Sequence, residues 1–121
     1  MKITFLTLLA ATTVYAGGFT STCTNLYLIS TAVGGVCKRI NGSTNNSSVD
    51  ANGHIGNSNG KLVRFSGGYK SSCRNCHIST GTSGKQFILS CECNSSNGWK
   101  ATSIDINWFL SNQNGVLAWD K

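Results

Sequence analysis

The fold is decided by a stretch that occurs twice, SVDANGHIGNSNGKL at residues 48–62 and SIDINWFLSNQNGVL at residues 103–117. Both copies read Ser-hydrophobic-Asp-x-Asn followed by Asn-x-Asn-Gly-x-Leu, at an offset of 55 residues. Further upstream, the segment at 22–25 matches the segment at 72–75, each containing Cys-x-Asn. A unit of ~50 residues is too small to fold well alone. The repeat therefore predicts a single pseudo-symmetric domain in which two halves share one core.

Turn chemistry around the repeat indicates an all-β protein. The chain has no proline, no long amphipathic helix pattern, and five Asn-Gly pairs, a dipeptide that favours positive φ at both positions of a tight hairpin turn. These pairs stand at 41–42, 52–53, 59–60, 97–98 and 114–115. Between them lie β-rich segments, which predict strands at Leu26–Ser30, Lys61–Phe65, Gln86–Cys91, Trp99–Ser103 and Val116–Trp119.

The N-terminus has the pattern of a cleaved secretory signal. Lys2 precedes an apolar run at 3–11, and Val14-Tyr15-Ala16 ends in a small residue. The run is shorter than the ~20 apolar residues that span a membrane, so no membrane insertion is expected. We therefore predict a signal peptide at 1–16, a domain at 17–121, and a secreted, extracellular protein.

The net charge is +6, but the basic residues are scattered along the chain rather than clustered. Nucleic-acid binders concentrate their basic residues on one face. The sequence therefore predicts a mildly basic surface and no nucleic-acid partner.

The six cysteines indicate a disulfide framework, as expected for an even count in a small secreted domain. Within the first half, Cys23 and Cys37 are the natural pair. In the second half, bridges joining 73 with 93 and 76 with 91 are nested, as a hairpin turning at 81–84 requires. Their register differs by one residue, which predicts a β-bulge. The crossed alternative, 73 with 91 and 76 with 93, stays open.

The segment at 73–77 also matches C-x-x-C-H, the attachment signature of a c-type haem. Cys73 has a repeat counterpart in Cys23, where no such motif exists, and the sole methionine is Met1, within the predicted signal. The second cysteine pair, 91 and 93, is spaced unlike the first, which argues against structural zinc. We therefore expect no metal and no cofactor.

Several pieces of the chain, in this order, resemble the cyanovirin-N-like lectin family. They are residues 19–25, 37–42, 47–52, 55–62, 72–75, 92–93, 103–107 and 110–119. The resemblance implies a two-lobed all-β fold, with lobe one at about 17–54 plus 109–121 and lobe two at about 55–108. It implies binding of mannose-rich glycans through one shallow pocket per lobe, typically at terminal α1,2-linked mannose, without catalysis or metal. Glu92-Cys93 matches the family and favours Cys93 as the partner of Cys73, with Cys76–Cys91 as an addition.

The resemblance also implies which residues line the two pockets. The lobe-one pocket would comprise Gly18, Ser21, Thr22, Lys38, Ile40, Asn112, Gln113 and Asn114. The lobe-two pocket would comprise Gly56, Asn57, Ser58, Asn59, Gly68, Ser71, Ser72, Asn94, Ser95, Ser96 and Asn97. Family pockets often carry Asp where this chain has Asn59 and Asn114, and Glu where it has Lys38. Because Ile40 also lacks a side-chain hydrogen bond, we expect the lobe-two pocket to be the stronger one.

Other residues receive structural interpretations. Asp50 and Asp105 occupy identical repeat positions, which predicts that both cap a local turn. Trp99, Trp108 and Trp119 are expected to fill the core. Arg64 stands where the repeat places Trp119, so Phe65 is the predicted substitute.

Two other functions remain as alternatives. One is a secreted interaction or defence protein on the same scaffold whose sugar sites have decayed. The other, less favoured, is a small ribonuclease using His54 and His77 as acid and base. Glycosylation sequons begin at Asn41, Asn45, Asn46 and Asn94, and the chain is either a monomer or a dimer swapped at a hinge near 54–57.

Overall fold

The computed structural model describes residues 17–121, so the predicted signal peptide lies outside the described residues. Short 3-10 turns cover Phe19–Ser21 and Ile106–Trp108, and a single helical turn, α1, covers Tyr69–Ser72. The strands are β1 (Cys23–Ile29), β2 (Ala32–Lys38), β3 (Thr44–Asp50), β4 (Ile55–Ser58), β5 (Lys61–Arg64), β6 (Cys73–Ser79), β7 (Ile88–Ser95), β8 (Gly98–Asp105), β9 (Leu110–Gln113) and β10 (Val116–Trp119). The predicted all-β fold is confirmed.

Each half of the molecule combines a three-stranded antiparallel sheet with a two-stranded hairpin. The sheets are β1-β2-β3 and β6-β7-β8, and the hairpins are β4-β5 and β9-β10. The final hairpin lies against β3, where Leu117 N donates to Ser47 Oγ at 2.9 Å. The middle hairpin lies against β8, where Leu62 N donates to Thr102 Oγ1 at 3.1 Å. We call β1–β3 with β9–β10 the first unit, and β4–β8 with α1 the second unit. Equivalent bonds in the two units show that the sequence repeat is a repeat of structure.

The repeated Cys-x-Asn segment forms a β-bulge in both units. The register between β1 and β2 shifts between Thr24 and Tyr27, and that between β6 and β7 shifts between Arg74 and His77. At both bulges an asparagine, Asn25 or Asn75, has φ 53°. Asparagine tolerates this left-handed conformation better than most residues. The bulge predicted for the hairpin of the second unit is therefore confirmed.

Two of the five Asn-Gly pairs form the predicted type of turn. Asn59-Gly60 and Asn114-Gly115 have positive φ at both positions and close two-residue hairpins. At Asn41-Gly42 and Asn97-Gly98 only the glycine has positive φ, and at Asn52-Gly53 neither residue has. The expectation of a tight hairpin with two left-handed residues is wrong for these three pairs.

Several strands run beyond the predicted segments, and others were not predicted at all. The strand expected at Gln86–Cys91 starts at Ile88 and continues to Ser95, because it pairs on both sides, with β6 and β8. The strands without a prediction are β2, β3, β4, β6 and β9. In β2, a Cβ at Gly34 would collide with the outer end of the Tyr27 ring, so the glycine that weakens the sequence signal leaves room for this side chain.

The hydrophobic core is shared between the two units. Phe19, before β1, meets Phe87, before β7, in an edge-to-face contact with ring centroids 5.4 Å apart. Fully buried side chains belong to the same hydrophobic cluster as this pair, among them Val33, Ile55, Leu89, Ile106 and Leu110. Burial of apolar surface in one continuous cluster is the main stabilising contribution to such a domain.

The prediction that all three tryptophans fill the core is wrong for two of them. Trp99 is 46% exposed and Trp108 is 72% exposed, whereas Trp119 packs between Phe109 and His54, with centroids 5.8 and 4.9 Å apart.

The repeat position of Trp119 is occupied in the second unit by Arg64 itself. The Arg64 guanidinium lies 4.8 Å from the Phe109 ring centroid. Phe65 stays 70% exposed, so the prediction that it substitutes for a tryptophan is wrong.

Both repeat aspartates hold local turns, as predicted. Asp105 Oδ1 accepts from Asn107 N at the start of the second 3-10 turn and from Phe87 N, both at 3.0 Å. Asp50 accepts from Gly53 N at 3.0 Å and from the Thr31 hydroxyl at 2.7 Å. Both carboxylates therefore have a structural role rather than the role of paired catalytic acids.

Three disulfides staple the hairpins, joining Cys23 to Cys37, Cys73 to Cys93 and Cys76 to Cys91. The second unit therefore has the nested pairing rather than the crossed one. Within residues 17–121 there is no group of His, Cys, Asp and Glu side chains suited to a metal, and no helix is both long and apolar enough to cross a membrane.

Candidate functional site

The first candidate site lies where the β9–β10 hairpin meets the end of β2. Asn112 on β9 donates from Nδ2 to Thr22 Oγ1 at 2.9 Å and to the Lys38 carbonyl at 3.0 Å, while its Oδ1 accepts from Gly115 N at 2.8 Å. Asn114 Oδ1 accepts from Ile40 N at 2.8 Å. Two asparagines two residues apart thus fix three separate chain segments around one surface.

These segments enclose a cleft of about 560 Å³. Its lining residues are Thr22, Lys38, Arg39, Ile40, Asn112, Gln113 and Asn114. Of the predicted lobe-one residues, Gly18 and Ser21 are not among them. Gly18 precedes the first 3-10 turn with φ 90° and borders another cleft, next to Lys85 and Trp108, and Ser21 ends that 3-10 turn.

Arg39 lines the cleft but was missed from the sequence. The available signal was its place between two predicted lining residues, Lys38 and Ile40. The family resemblance assigns only Lys38 and Ile40 to the pocket, a spacing at which alternate residues of a regular strand face the same side. Here β2 ends at Lys38, so Arg39 lies beyond the strand and that alternation does not hold.

The second candidate site repeats the same hydrogen bonds with different residues. Asn57 Nδ2 donates to Ser72 Oγ at 3.1 Å and to the Asn94 carbonyl at 2.9 Å, and its Oδ1 accepts from Gly60 N at 2.7 Å. Asn59 Oδ1 accepts from Ser96 N at 2.8 Å. The structure thus brings residues of all three predicted segments, at 56–59, 68–72 and 94–97, together at one surface.

Some predicted residues of the second site support it rather than face outward. Gly56 is buried, and a Cβ there would collide with Ser66. Ser71 Oγ donates to the Gly68 carbonyl at 3.0 Å and closes the α1 turn. Ser95 Oγ donates to the Gly98 carbonyl at 2.6 Å and accepts from Asn97 N at 3.2 Å, which closes the β7–β8 turn. Ser58 is exposed on β4.

The two sites differ in the three residues that follow the equivalent cysteines Cys37 and Cys93. The first site has Lys38, Arg39 and Ile40, and Ile40 is 92% exposed. The second has the short neutral side chains at 94–96. The long side chains explain the cleft at the first site. The predicted preference for the second site rested on side-chain chemistry alone, and it stays a prediction, whereas the shape of the surface favours the first.

The two histidines line different clefts. His77 lies in a groove on the β6–β8 sheet with Asn75 and Glu92, whereas His54 lies against Trp119. Hydrogen bonds from Asn75 Nδ2 and from Arg74 Nε, at 2.9 and 3.0 Å, hold the pKa of the Glu92 carboxyl below its usual value. No geometry in the described residues places both histidines at one reacting group, so the ribonuclease alternative has no support here.

Comparison with known proteins identifies the family. The CVNH domain model matches residues 19–118, nearly all of the described chain, and the chain therefore belongs to the CVNH domain family. The resemblance to cyanovirin-N-like proteins is confirmed.

Solved structures share the fold. GzCVNH of Gibberella zeae is 20% identical with a TM-score of 0.82, and the match covers 87% of this chain and 99% of that one. Microvirin, solved with mannobiose, is 24% identical with a TM-score of 0.76, covering 85% and 98%. A MoCVNH3 variant, solved with (N-GlcNAc)4, is 18% identical with a TM-score of 0.77, covering 87% and 98%. At these identities the likeness concerns the fold.

Proposed function

We propose that the protein is a secreted lectin that binds mannose-rich glycans, especially terminal α1,2-linked mannose, without catalysis. The observation that carries this proposal is the duplicated asparagine cradle, built by Asn112 and Asn114 in one unit and by Asn57 and Asn59 in the other. Turn formation alone would not require each hairpin to bind two other segments of the chain through its asparagines.

The cradle suits a sugar because a hydroxyl group donates and accepts hydrogen bonds at once, as Asn and Ser side chains also do. Each hydrogen bond contributes only about 1 kcal/mol net, so several must converge. Among the described residues, Asn59 Nδ2, the Asn94 side-chain amide and the Ser96 hydroxyl have no protein partner. These groups are held next to one another by bonds that use other atoms, which limits the entropy lost on binding.

The relatives and the chain's own chemistry support the finer points. Microvirin was solved with mannobiose, which supports mannose as the sugar. An N-terminus of signal type and three disulfides support an oxidising, extracellular location.

The test is a two-dimensional NMR titration of the oxidised residues 17–121 with α1,2-mannobiose. The protein is made without N-glycosylation, because Asn94 begins a sequon and a glycan there would fill the second site. We expect saturable shifts at 57–59, 71–72 and 94–97.

The Asn94→Ala variant should lose the shifts at the second site, while Asn46→Ala, on the exposed face of β3, should keep them. A well-dispersed spectrum in which no chemical shift changes when the sugar is added to millimolar concentration would refute the proposal. It would favour a scaffold with decayed sites.

A further inference from the structure

The acidic side chains of the described residues are all tied to structural roles. Asp50 and Asp105 cap turns, and Asp120 accepts from Ser111 Oγ at 2.6 Å and from Gly17 N. Glu92 pairs with Arg74, the one ion pair within residues 17–121. The other lysines and arginines there have no acidic partner, so their charges are available to a ligand.

Two of these free cations, Lys38 and Arg39, line the first cleft, and no acidic residue lines it. Arg39 Nη1 donates to Ser43 Oγ at 3.2 Å and to the Thr44 carbonyl at 2.9 Å, which fixes the plane of the guanidinium. The aliphatic part of the Arg39 side chain packs over Gly115, where a Cβ would lie only 2.9 Å from Arg39 Cγ. Among the described residues nothing bonds Nε or Nη2, so one edge of the guanidinium is unused.

The second site provides a counterpart within the same molecule that lacks these two cations. At the positions equivalent to Lys38 and Arg39 it has Asn94 and Ser95. Two cations lie near its turn, because Lys61 directly follows Gly60 and the stem of Lys100, on β8, lies over Gly60. The asparagine cradle is the same in both sites, so the two cations that directly follow Cys37 are a chemical difference that bears on an anionic ligand.

We propose that the first cleft selects anionic sugars, in which a carboxylate or sulfate group sits against Arg39 and Lys38 while neighbouring hydroxyls bond the asparagine cradle. This inference rests on the proposed lectin function and gives the two sites different substrate classes. A guanidinium edge matches the two oxygens of a carboxylate or sulfate and forms charge-assisted bonds, which are about twice as strong as neutral ones. A neutral mannoside offers these cations only hydroxyl acceptors.

The experiment compares three disaccharides by NMR titration. They are α1,2-mannobiose, its analogue with one C6 hydroxymethyl oxidised to a carboxylate, and its 6-O-sulfate. At the first cleft we expect an acidic form to bind about five- to tenfold more tightly than mannobiose, with the advantage shrinking as salt is added. The second site should discriminate less. Comparison of the two acidic forms shows which anion fits better.

Variants locate the effect. Lys38→Asn, alone and with Arg39→Ser, introduces the second site's residues at these positions and should remove the preference for the acidic forms at the first cleft, while mannobiose binding at the second site stays unchanged. Lys38 is exposed and its ammonium has no partner among the described residues, so the single variant should fold normally. Lys85→Asn, which also removes an exposed lysine, is the control for net charge and should keep the preference.

The possible failures are distinguishable. Equal binding of all three sugars at the first cleft would overturn this inference and leave the lectin function standing. Shifts from the acidic sugars spread over Lys85 and other surface lysines without saturation at the cleft would also overturn it. Absence of binding by every sugar at either site would overturn both proposals.

Discussion

At the scale of single residues, one asparagine side chain in each unit forms the hydrogen bonds that hold the site together. Asn57 and Asn112 each use both amide hydrogens and the carbonyl oxygen, reaching a hydroxyl, a backbone carbonyl and a backbone N–H. An aspartate lacks the donors and a leucine lacks every polar atom, so only an amide of this length satisfies the three partners. The residue that builds the site is therefore also a structural residue.

Asp50 gives a pH-dependent prediction at this scale. The Thr31 hydroxyl, followed by backbone N–H groups, lowers the pKa of this carboxyl from 3.8. A lowered pKa means that the ionised form stabilises the folded state above the unfolded pKa, and that this contribution is lost as pH falls through the folded pKa.

The Asp50→Asn variant should therefore be less stable than the parent at about pH 6, and the difference should shrink at about pH 2, because protonation of Asp50 increases as the pH falls below its unfolded pKa. Urea unfolding at both pH values measures this. Asp50 is exposed, so the difference should be small. A difference that does not change with pH would contradict the ionic origin.

At the scale of secondary-structure elements, the bulge in each unit depends on one left-handed residue. Asn25 has φ 53°, and no side-chain hydrogen bond ties it to the rest of the described chain. A β-branched residue in that conformation costs roughly 1–2 kcal/mol, whereas glycine adopts it freely. We predict that Asn25→Val lowers the free energy of unfolding by about that amount and that Asn25→Gly changes it little.

Urea unfolding of the two variants tests this prediction. Thr24→Val, next to the bulge in extended backbone, is the matched control and should be nearly neutral. Equal losses for Asn25→Val and Thr24→Val would show that the left-handed residue has no special cost.

The same elements show what the sequence predicts and what it leaves out. The bulge of the second unit was predicted from the spacing of the cysteines, the hairpin turns at 59–60 and 114–115 from Asn-Gly chemistry, and the capping role of both aspartates from the repeat. Strand β3, with the sequence TNNSSVD, was not predicted because it has one β-branched apolar residue, Val49, and its side chains alternate only between exposed and half-buried. It is a strand because β2 pairs along its whole length and the final hairpin packs on it, and the contact with the final hairpin is remote in sequence.

At the scale of the whole molecule, most of the candidate site was predictable because the family resemblance and the repeat together align equivalent residues. What could not be predicted was which aligned residues face outward. Gly56 and Ser111 are repeat partners and both are buried, the one against Ser66 and the other bonded to Asp120. Arg39 faces the cleft because Gly115 leaves room for its stem. Both outcomes depend on contacts between segments far apart in the chain.

The shared core predicts that the two units unfold together. Phe19 and Phe87 join them at the core, and Gly68 N, just before α1, donates to the carbonyl of Asn52, in the segment that connects the two units, at 2.7 Å. Small domains with one core unfold in a single cooperative transition, seen as coincident curves from different probes. The tryptophans supply local probes, because Trp99 reports on the second unit and Trp119 on the first.

Two single-tryptophan variants test this prediction. One keeps Trp99, the other keeps Trp119, and in each the other two tryptophans, including Trp108, are replaced by phenylalanine. We predict that the fluorescence midpoint of each variant in urea coincides with the circular-dichroism midpoint of the same protein. Each variant serves as its own reference, so a change in stability caused by the replacement does not affect the comparison. Phe19→Leu should lower both midpoints together, by about 1 kcal/mol in free energy of unfolding, because it weakens a contact common to both units. Separate midpoints for Trp99 and Trp119 would mean that each unit is stable without the other, contrary to the shared core.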